Sequence, residues 1–229
     1  MNGFFITGTD TGVGKTLVSA GLIHKLVASG WRVAGMKPVA TGCKWKGGVL
    51  RSEDADLLIA EANVKAPYDW VNPYAYEPPI APNIAAKQLR SYISLAHIAD
   101  CKARLLQMAD MVVVEGVGGF RVPLNDDQDA AHMALMLGLP VILVVGLRLG
   151  CLNHALMSAE AIQMRGLKLS GWIGNRIDPG MTHMEPNLDT LRRRLTVPCL
   201  GVVPLVVPAL PEQIAPFLEI NSVFQNTVT

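Results

Sequence analysis

Lys15, Thr16, Lys37, Asp54 and Glu115 are the side chains whose types and spacing point to chemistry. The first two stand in Gly8-Thr9-Asp10-Thr11-Gly12-Val13-Gly14-Lys15-Thr16, which follows an apolar run, Phe4-Phe5-Ile6, and opens a helical pattern at Leu17. Strand, glycine-rich turn, Gly-Lys-Thr and helix is the context that a phosphate-binding loop requires. Backbone N–H groups freed by the glycines converge on phosphate oxygens, and the helix N-terminus adds the positive end of its dipole. Lys15 then reaches the β- and γ-phosphates, and the Thr16 hydroxyl can ligate Mg2+. One departure is visible. The common pattern places its first glycine where this chain has Thr9, and Gly8 lies one residue earlier. The stretch predicts a nucleoside triphosphate site.

A second stretch, Met111-Val112-Val113-Val114-Glu115-Gly116, reads as a buried parallel strand that ends in a carboxylate. In nucleotide enzymes of this architecture an acid at that strand end holds Mg2+, usually through aspartate; here it is Glu115, one methylene longer. A carboxylate after an apolar run is costly to bury alone, so a cation partner is expected. Lys37 ends the strand Val33-Ala34-Gly35-Met36 and points into the crevice where open α/β sheets bind ligands, or is simply solvated; Thr41-Gly42 follows in the same crevice. Asp54, in the acidic helix start Ser52-Glu53-Asp54-Ala55-Asp56, is either a cap or a Mg2+ ligand, and spacing does not choose between them. Arg148 and the helix start at Gly150-Cys151-Leu152-Asn153 can receive an anion such as a carboxylate. Cys151 reads as a packing residue rather than a nucleophile, and His154 as structural or solvated. Asn175, at the end of another strand, offers a donor and an acceptor suited to a purine edge. Asp126, Asp127 and Asp129 read as helix capping, and Arg192-Arg193-Arg194 as a solvated face.

The elements that must position these groups alternate along the chain. Helices are expected over 17–29, near 84–88, and over 94–108, 130–137, 151–165 and 188–195; further strands are expected over 141–146, 169–174 and 199–203. Residues 44–48 read as a flexible polar loop, and the proline-rich 72–82 as an irregular excursion. With no repeat and no linker, the expected fold is a doubly wound α/β domain with a mainly parallel sheet and P-loop nucleotide-binding architecture, spanning 1–220, with a polar C-terminal tail over 221–229.

Composition narrows the class. Of 229 residues, 50% are hydrophobic and 17% charged, with a formal net charge of +1, which argues against a basic nucleic-acid surface or an acidic disordered tail. No apolar stretch approaches a membrane span, and an N-terminus that runs straight into a strand does not read as a targeting segment. Cys43, Cys101, Cys151 and Cys199 show no C-x-x-C pair, so reduced thiols in a cytoplasmic protein are expected.

Five motifs taken together resemble the ATP-dependent dethiobiotin synthetases: the phosphate loop, Lys37-Pro38-Val39-Ala40-Thr41-Gly42, Asn72-Pro73-Tyr74, Val114-Glu115-Gly116-Val117-Gly118-Gly119, and Gly150-Cys151-Leu152-Asn153-His154-Ala155. The resemblance runs in register to about Glu212. It implies the penultimate step of biotin synthesis. An amine of 7,8-diaminononanoate captures CO2 as a carbamate, ATP phosphorylates the carbamate to a mixed anhydride, and the second amine closes the ureido ring with release of phosphate. Carried over by motif, Lys15 and Lys37 stabilise charge on the γ-phosphoryl and carbamate oxygens; Thr16, Asp54 and Glu115 hold Mg2+; Thr41 contacts the substrate. Gly12, Val13, Gly14, Lys15, Thr16 and Leu17, with Glu115, Gly116, Val117 and Gly118, surround the phosphates. Asn175 and Arg176 (the latter through its backbone), Pro204, Leu205, Val206 and Glu212 place the adenine and ribose. Gly150, Cys151, Leu152 and Asn153 receive the substrate carboxylate across a homodimer interface.

Local departures are Gly12, where the family often has glutamate; Arg148, where relatives can carry lysine; and Met184-Glu185-Pro186-Asn187, which lacks a tyrosine that some members use on the partner subunit's substrate. Phosphoryl transfer asks for positioning and electrostatics, which these residue types supply without a Ser-His-Asp or Cys-His set. Two rivals share the loop. A partitioning-type ATPase switch needs a second lysine where this chain has Asp10, and a cobyrinate-type amide synthetase needs a glutamine-hydrolysing domain for which the chain is expected to be too short.

Overall fold

Alternate residues of a strand face opposite sides of a sheet, and Phe4, Phe5 and Ile6 are all buried, so the first strand needs cover on both faces. The computed structural model describes residues 2–220; the polar tail expected over 221–229 lies outside them. The strands in chain order are β1 (Gly3–Gly8), β2 (Val33–Met36), β3 (Val39–Thr41), β4 (Lys44–Lys46), β5 (Val49–Arg51), β6 (Tyr74–Tyr76), β7 (Met111–Glu115), β8 (Val141–Leu147), β9 (Leu169–Arg176) and β10 (Cys199–Val203). The helices are α1 (Lys15–Ala28), α2 (Glu53–Glu61), α3 (Tyr68–Val71), α4 (Pro82–Gln88), α5 (Leu95–Met108), α6 (Ala130–Leu137), α7 (Cys151–Met164), α8 (Met184–Arg194) and α9 (Pro211–Ile214).

Six strands form one parallel sheet in the order β10-β9-β8-β1-β7-β2. Phe4 and Ile6 pack with Val18, Leu22 and Ile23 of α1 and Ile214 of α9. Phe5 points the other way, into a layer with Ile98 and Leu105 of α5, Ala134 of α6 and Ile162 of α7. The sheet is therefore doubly wound, as expected. Strand β1 lies between β7 and β8, and Gly8, its last residue, begins the phosphate loop.

Register brings the site residues together. Ile6 pairs with Glu115 and Met36 with Val114, so Lys37 follows at the level of Glu115 on the neighbouring strand. The strand order reverses beside β1, where open α/β sheets place their ligands.

Several expectations are corrected. The segment 44–48 is not a loop: β4 and β5 form an antiparallel hairpin closed by Gly47-Gly48, with Lys46 opposite Val49. Both glycines have positive φ (59° and 79°), the conformation that two-residue hairpin turns demand. Salt bridges Lys44–Glu53, Lys46–Asp56 and Arg51–Asp56 tie the hairpin to α2. The stretch 72–82 contains β6, which pairs in parallel with β3; Pro73 and Pro78 flank its ladder rather than interrupt it. Helix α1 starts at Lys15 rather than residue 17, because Gly14 (φ 86°) ends the loop directly before it. Helix α8 starts at Met184 rather than residue 188, since Pro186 is tolerated in a first turn. Of the three aspartates read as caps, Asp129 alone caps α6, in a capping box with His132; Asp126 and Asp127 lie in the loop before it.

Candidate active site

The phosphate loop owes its shape to two glycines and an asparagine from a distant strand. Gly12 and Gly14 have φ of 74° and 86°, where side chains are strained. A Cβ on Gly14 would also collide with the Asn175 amide. Asn175, buried at the end of β9, donates from Nδ2 to the Val13 carbonyl at 2.9 Å. That bond holds the loop so that its N–H groups and the start of α1 face a cavity of about 320 Å³.

Gly12, Gly14, Lys15, Thr16, Lys37, Thr41, Asp54, Glu115, Val117 and Gly118, all singled out from the sequence, line this cavity. Thr11 and Ala40 line it too and were missed, although each lies inside a quoted motif. Gly116 adjoins the cavity through its carbonyl, which accepts from Lys37 Nζ at 3.2 Å. Val13 of the loop is itself buried, and Leu17 lies in the first turn of α1.

The electrostatic centre is Lys37. Its Nζ lies 2.5 Å from Glu115 Oε1 and 2.9 Å from Asp54 Oδ2, with both Lys37 and Glu115 buried. Thr16 Oγ1 donates to the same Glu115 oxygen at 2.9 Å. Burial alone would lower the Lys37 pKa, but the two carboxylates outweigh it and hold its ammonium above the ordinary lysine value. Burial raises the Glu115 carboxyl against the opposing pull of Lys37. Asp54, penalised by burial but favoured more by Lys37 and Thr16, titrates below the usual aspartate range. Asp54 is not the cap of its helix: Ser52 caps α2, and Asp54 faces the cavity.

Lys15 differs. Burial, then repulsion from Lys37, lowers its pKa to about 8, and its Nζ donates to the Asp10 carbonyl at 2.8 Å. The Asp10 carboxylate accepts from Thr11 N at 2.7 Å and from Arg148 Nη2 at 2.6 Å, so Arg148 pairs with a carboxylate of this chain.

The oxygens of Thr16, Asp54 and Glu115 suit a hard divalent cation. Glu115 Oε2 is buried with no hydrogen-bond partner, an acceptor waiting for a cation or donor. Among the described residues no cluster of three His, Cys, Asp or Glu side chains could hold a metal. A set of two carboxylates and a hydroxyl fits the sparse protein ligation of Mg2+, whose remaining ligands are phosphate oxygens and water.

Other predicted residues lie away from the cavity lining. Gly150 (φ 91°) starts α7, Cys151 is 2% exposed in the core, as its packing reading requires, and Leu152 and the exposed Asn153 follow. Arg176 ends β9 beside Asn175, and its Nε is buried without a partner. Pro204, Leu205 and Val206 leave β10, and the exposed Glu212 lies on α9, next to Pro211 and Ile214, which approach Gly21 of α1. No described helix is long and apolar enough to cross a membrane.

A family model described as an AAA domain matches residues 2–212. An ATP-dependent dethiobiotin synthetase of Aromatoleum aromaticum is 50% identical over 217 residues, covering 95% of this chain and 96% of the relative. One from Pseudomonas paraeruginosa is 47% identical over 222 residues, covering 96% and 97%. Among solved structures, the MinC:MinD cell division protein complex of Aquifex aeolicus matches with a TM-score of 0.60 at 14% identity, covering 100% of this chain and 97% of that one. A ParA family ATPase from Chlorobium tepidum matches at 0.57 and 14%, covering 99% and 93%. These structures share the fold alone, so the regulatory-switch alternative has only a distant structural relation behind it. By sequence the outcome is specific: the chain belongs to the ATP-dependent dethiobiotin synthetase family.

Proposed function

We propose that the cleft between the phosphate loop and Lys37 joins CO2 to 7,8-diaminononanoate at the expense of ATP, forming dethiobiotin, ADP and phosphate. The observation that carries this reading is Lys37, a buried ammonium held between two carboxylates and opposite the loop. The loop amides and Lys15 bind the triphosphate, with Lys15 exchanging the Asp10 carbonyl for a phosphate oxygen. Thr41 holds the diamine beside them. Lys37 neutralises charge on the carbamate oxygen as it takes the γ-phosphoryl group, and Lys15 does so on the transferred group itself. Positioned donors of this kind are worth about 10²–10³ in turnover each. Carbamate formation needs an unprotonated amine near CO2, so no dedicated base is required. Thr16, Asp54 and Glu115 hold Mg2+, which when bound supplies charge neutralisation on the β- and γ-phosphates. Asn175, the Arg176 backbone, Pro204, Leu205, Val206 and Glu212 form the adenosine side.

The substrate carboxylate goes to Gly150, Cys151, Leu152 and Asn153 across a homodimer interface. An apolar patch supports that interface: Leu149 is 95% exposed, and Met157 and Met164 follow along α7 at 61% and 80%. Large apolar side chains exposed along one helix suit an association site. Four free cysteines fit a cytoplasmic setting, and residues 1–220 act as one domain.

The test is phosphate release from ATP with bicarbonate and the diamine, with dethiobiotin identified by mass spectrometry. Release that does not depend on the diamine would sink the reading.

A further inference from the structure

The atoms assigned to the divalent cation are engaged by an ammonium. Lys37 Nζ sits 2.5 Å from Glu115 Oε1 and 2.9 Å from Asp54 Oδ2, and Thr16 Oγ1 donates to the same Glu115 oxygen at 2.9 Å. Glu115 is buried and Asp54 half-buried; two carboxylates sharing one ammonium repel each other, and the cation between them favours the ionised form of both. Lys37 supplies that charge. It cannot also serve a phosphoryl group from this position, because its hydrogen bonds go to Glu115, Asp54 and the Gly116 carbonyl.

We propose that Lys37 is also a positioning residue: it holds the Thr16, Asp54 and Glu115 oxygens in register as a resident cation, and loading of a divalent ion releases its ammonium toward the reacting groups. This rests on the reading that Thr16, Asp54 and Glu115 ligate the metal. The exchange is balanced in kind. A divalent ion would bring two charges to the two carboxylates, and Glu115 Oε2, buried and unpartnered, would be free to serve as a ligand. The single ammonium leaves for the side of the cleft where anionic oxygens arrive. Metal loading and the availability of Lys37 are thereby one event, so phosphoryl transfer without the metal lacks both charges.

The proposal predicts competition. Mn2+ binding to the nucleotide-free protein, followed by the loss of the free-ion electron paramagnetic resonance signal, should tighten at least about tenfold in Lys37→Met, since each factor of ten needs only about 1.4 kcal/mol of relieved competition. Lys37→Arg, which keeps a cation, should stay near wild type. In the wild-type protein, Mn2+ alone should raise the labelling of Lys37 by an amine-directed acetylating reagent several-fold, read by mass spectrometry, so the idea remains testable if Lys37→Met does not fold. Equal Mn2+ affinity in wild type and Lys37→Met, with loss of binding in Glu115→Gln, would overturn the competition and leave the metal set intact. Mn2+ affinity indifferent to Glu115→Gln and Asp54→Asn would overturn both. Unchanged Lys37 labelling on metal addition would likewise end the proposal.

Discussion

Lys15 and Lys37 line the same cavity, both largely buried, yet their pKa values move in opposite directions. Lys37 has two carboxylates at salt-bridge distance, whereas the partner Lys15 has is a neutral carbonyl. On the proposed function, the difference separates their work: Lys15 is ready to accept a phosphate as its counterion, while Lys37 must first leave its two carboxylates. Lys37→Ala should therefore keep nucleotide affinity within a few fold and lower turnover about a hundredfold or more, the cost of one transition-state donor. Isothermal titration with an ATP analogue, beside steady-state rates, checks the split; undiminished turnover removes Lys37 from the mechanism. Glu115→Gln should raise the Mg2+ concentration for half-maximal activity, and an unchanged magnesium titration would count against ligation there.

At the scale of elements, the loops behind the site depend on local devices with separable costs. Gly14→Ala places a Cβ at φ 86° against the Asn175 amide. Loss of nucleotide binding is expected with destabilisation of about 1–3 kcal/mol; nucleotide protection in a thermal melt reports the first and the denaturation midpoint the second. Asp129 caps α6 and pairs with Arg121 at 2.6 Å and with His132 at 2.8 Å. Burial opposes its ionisation, but the Arg121 hydrogen bond and the His132 amide prevail and depress its pKa. A carboxyl lowered on folding stabilises the protein above its unfolded value, about 3.9, and loses that contribution as the pH falls through its folded value. Asp129→Ala should thus cost about 1–2 kcal/mol near neutrality, with the gap to wild type narrowing in acid. Urea midpoints at neutral and acid pH measure it; a constant gap would assign the effect to packing.

For the whole molecule, the proposed dimer rests on the exposed side chains of Leu149, Met157 and Met164. On the proposed dimer, a partner subunit there would set the Gly150–Asn153 turn beside a second active site. Leu149→Glu combined with Met164→Glu should yield monomers in sedimentation velocity, because two buried charges per protomer face apolar surface at several kcal/mol each. Activity should fall through a raised KM for the diamine, with ATP affinity retained. A dimer unaffected by both charges would place the interface elsewhere.

Much of this was legible in the sequence because it is local. The glycine-lysine-threonine loop, the apolar runs of β7 and β8 and the helical pattern of α1 each state their structure within a dozen residues, since loop conformation and amphipathic period are short-range properties. The hairpin at residues 44–51 was missed despite Gly47-Gly48, because its polar strands are held by ion pairs to α2 rather than by a buried face. Tertiary structure alone decided the partners. Nothing near Lys37 in the chain announces Glu115, 78 positions away, and no spacing shows that Asn175 clamps Val13 or that Arg148 is held by Asp10. Such pairings follow from strand order and register, which are set by how the two faces of the sheet are buried together. The sequence determined which groups could meet a phosphate; the sheet decided which charges they face before it arrives.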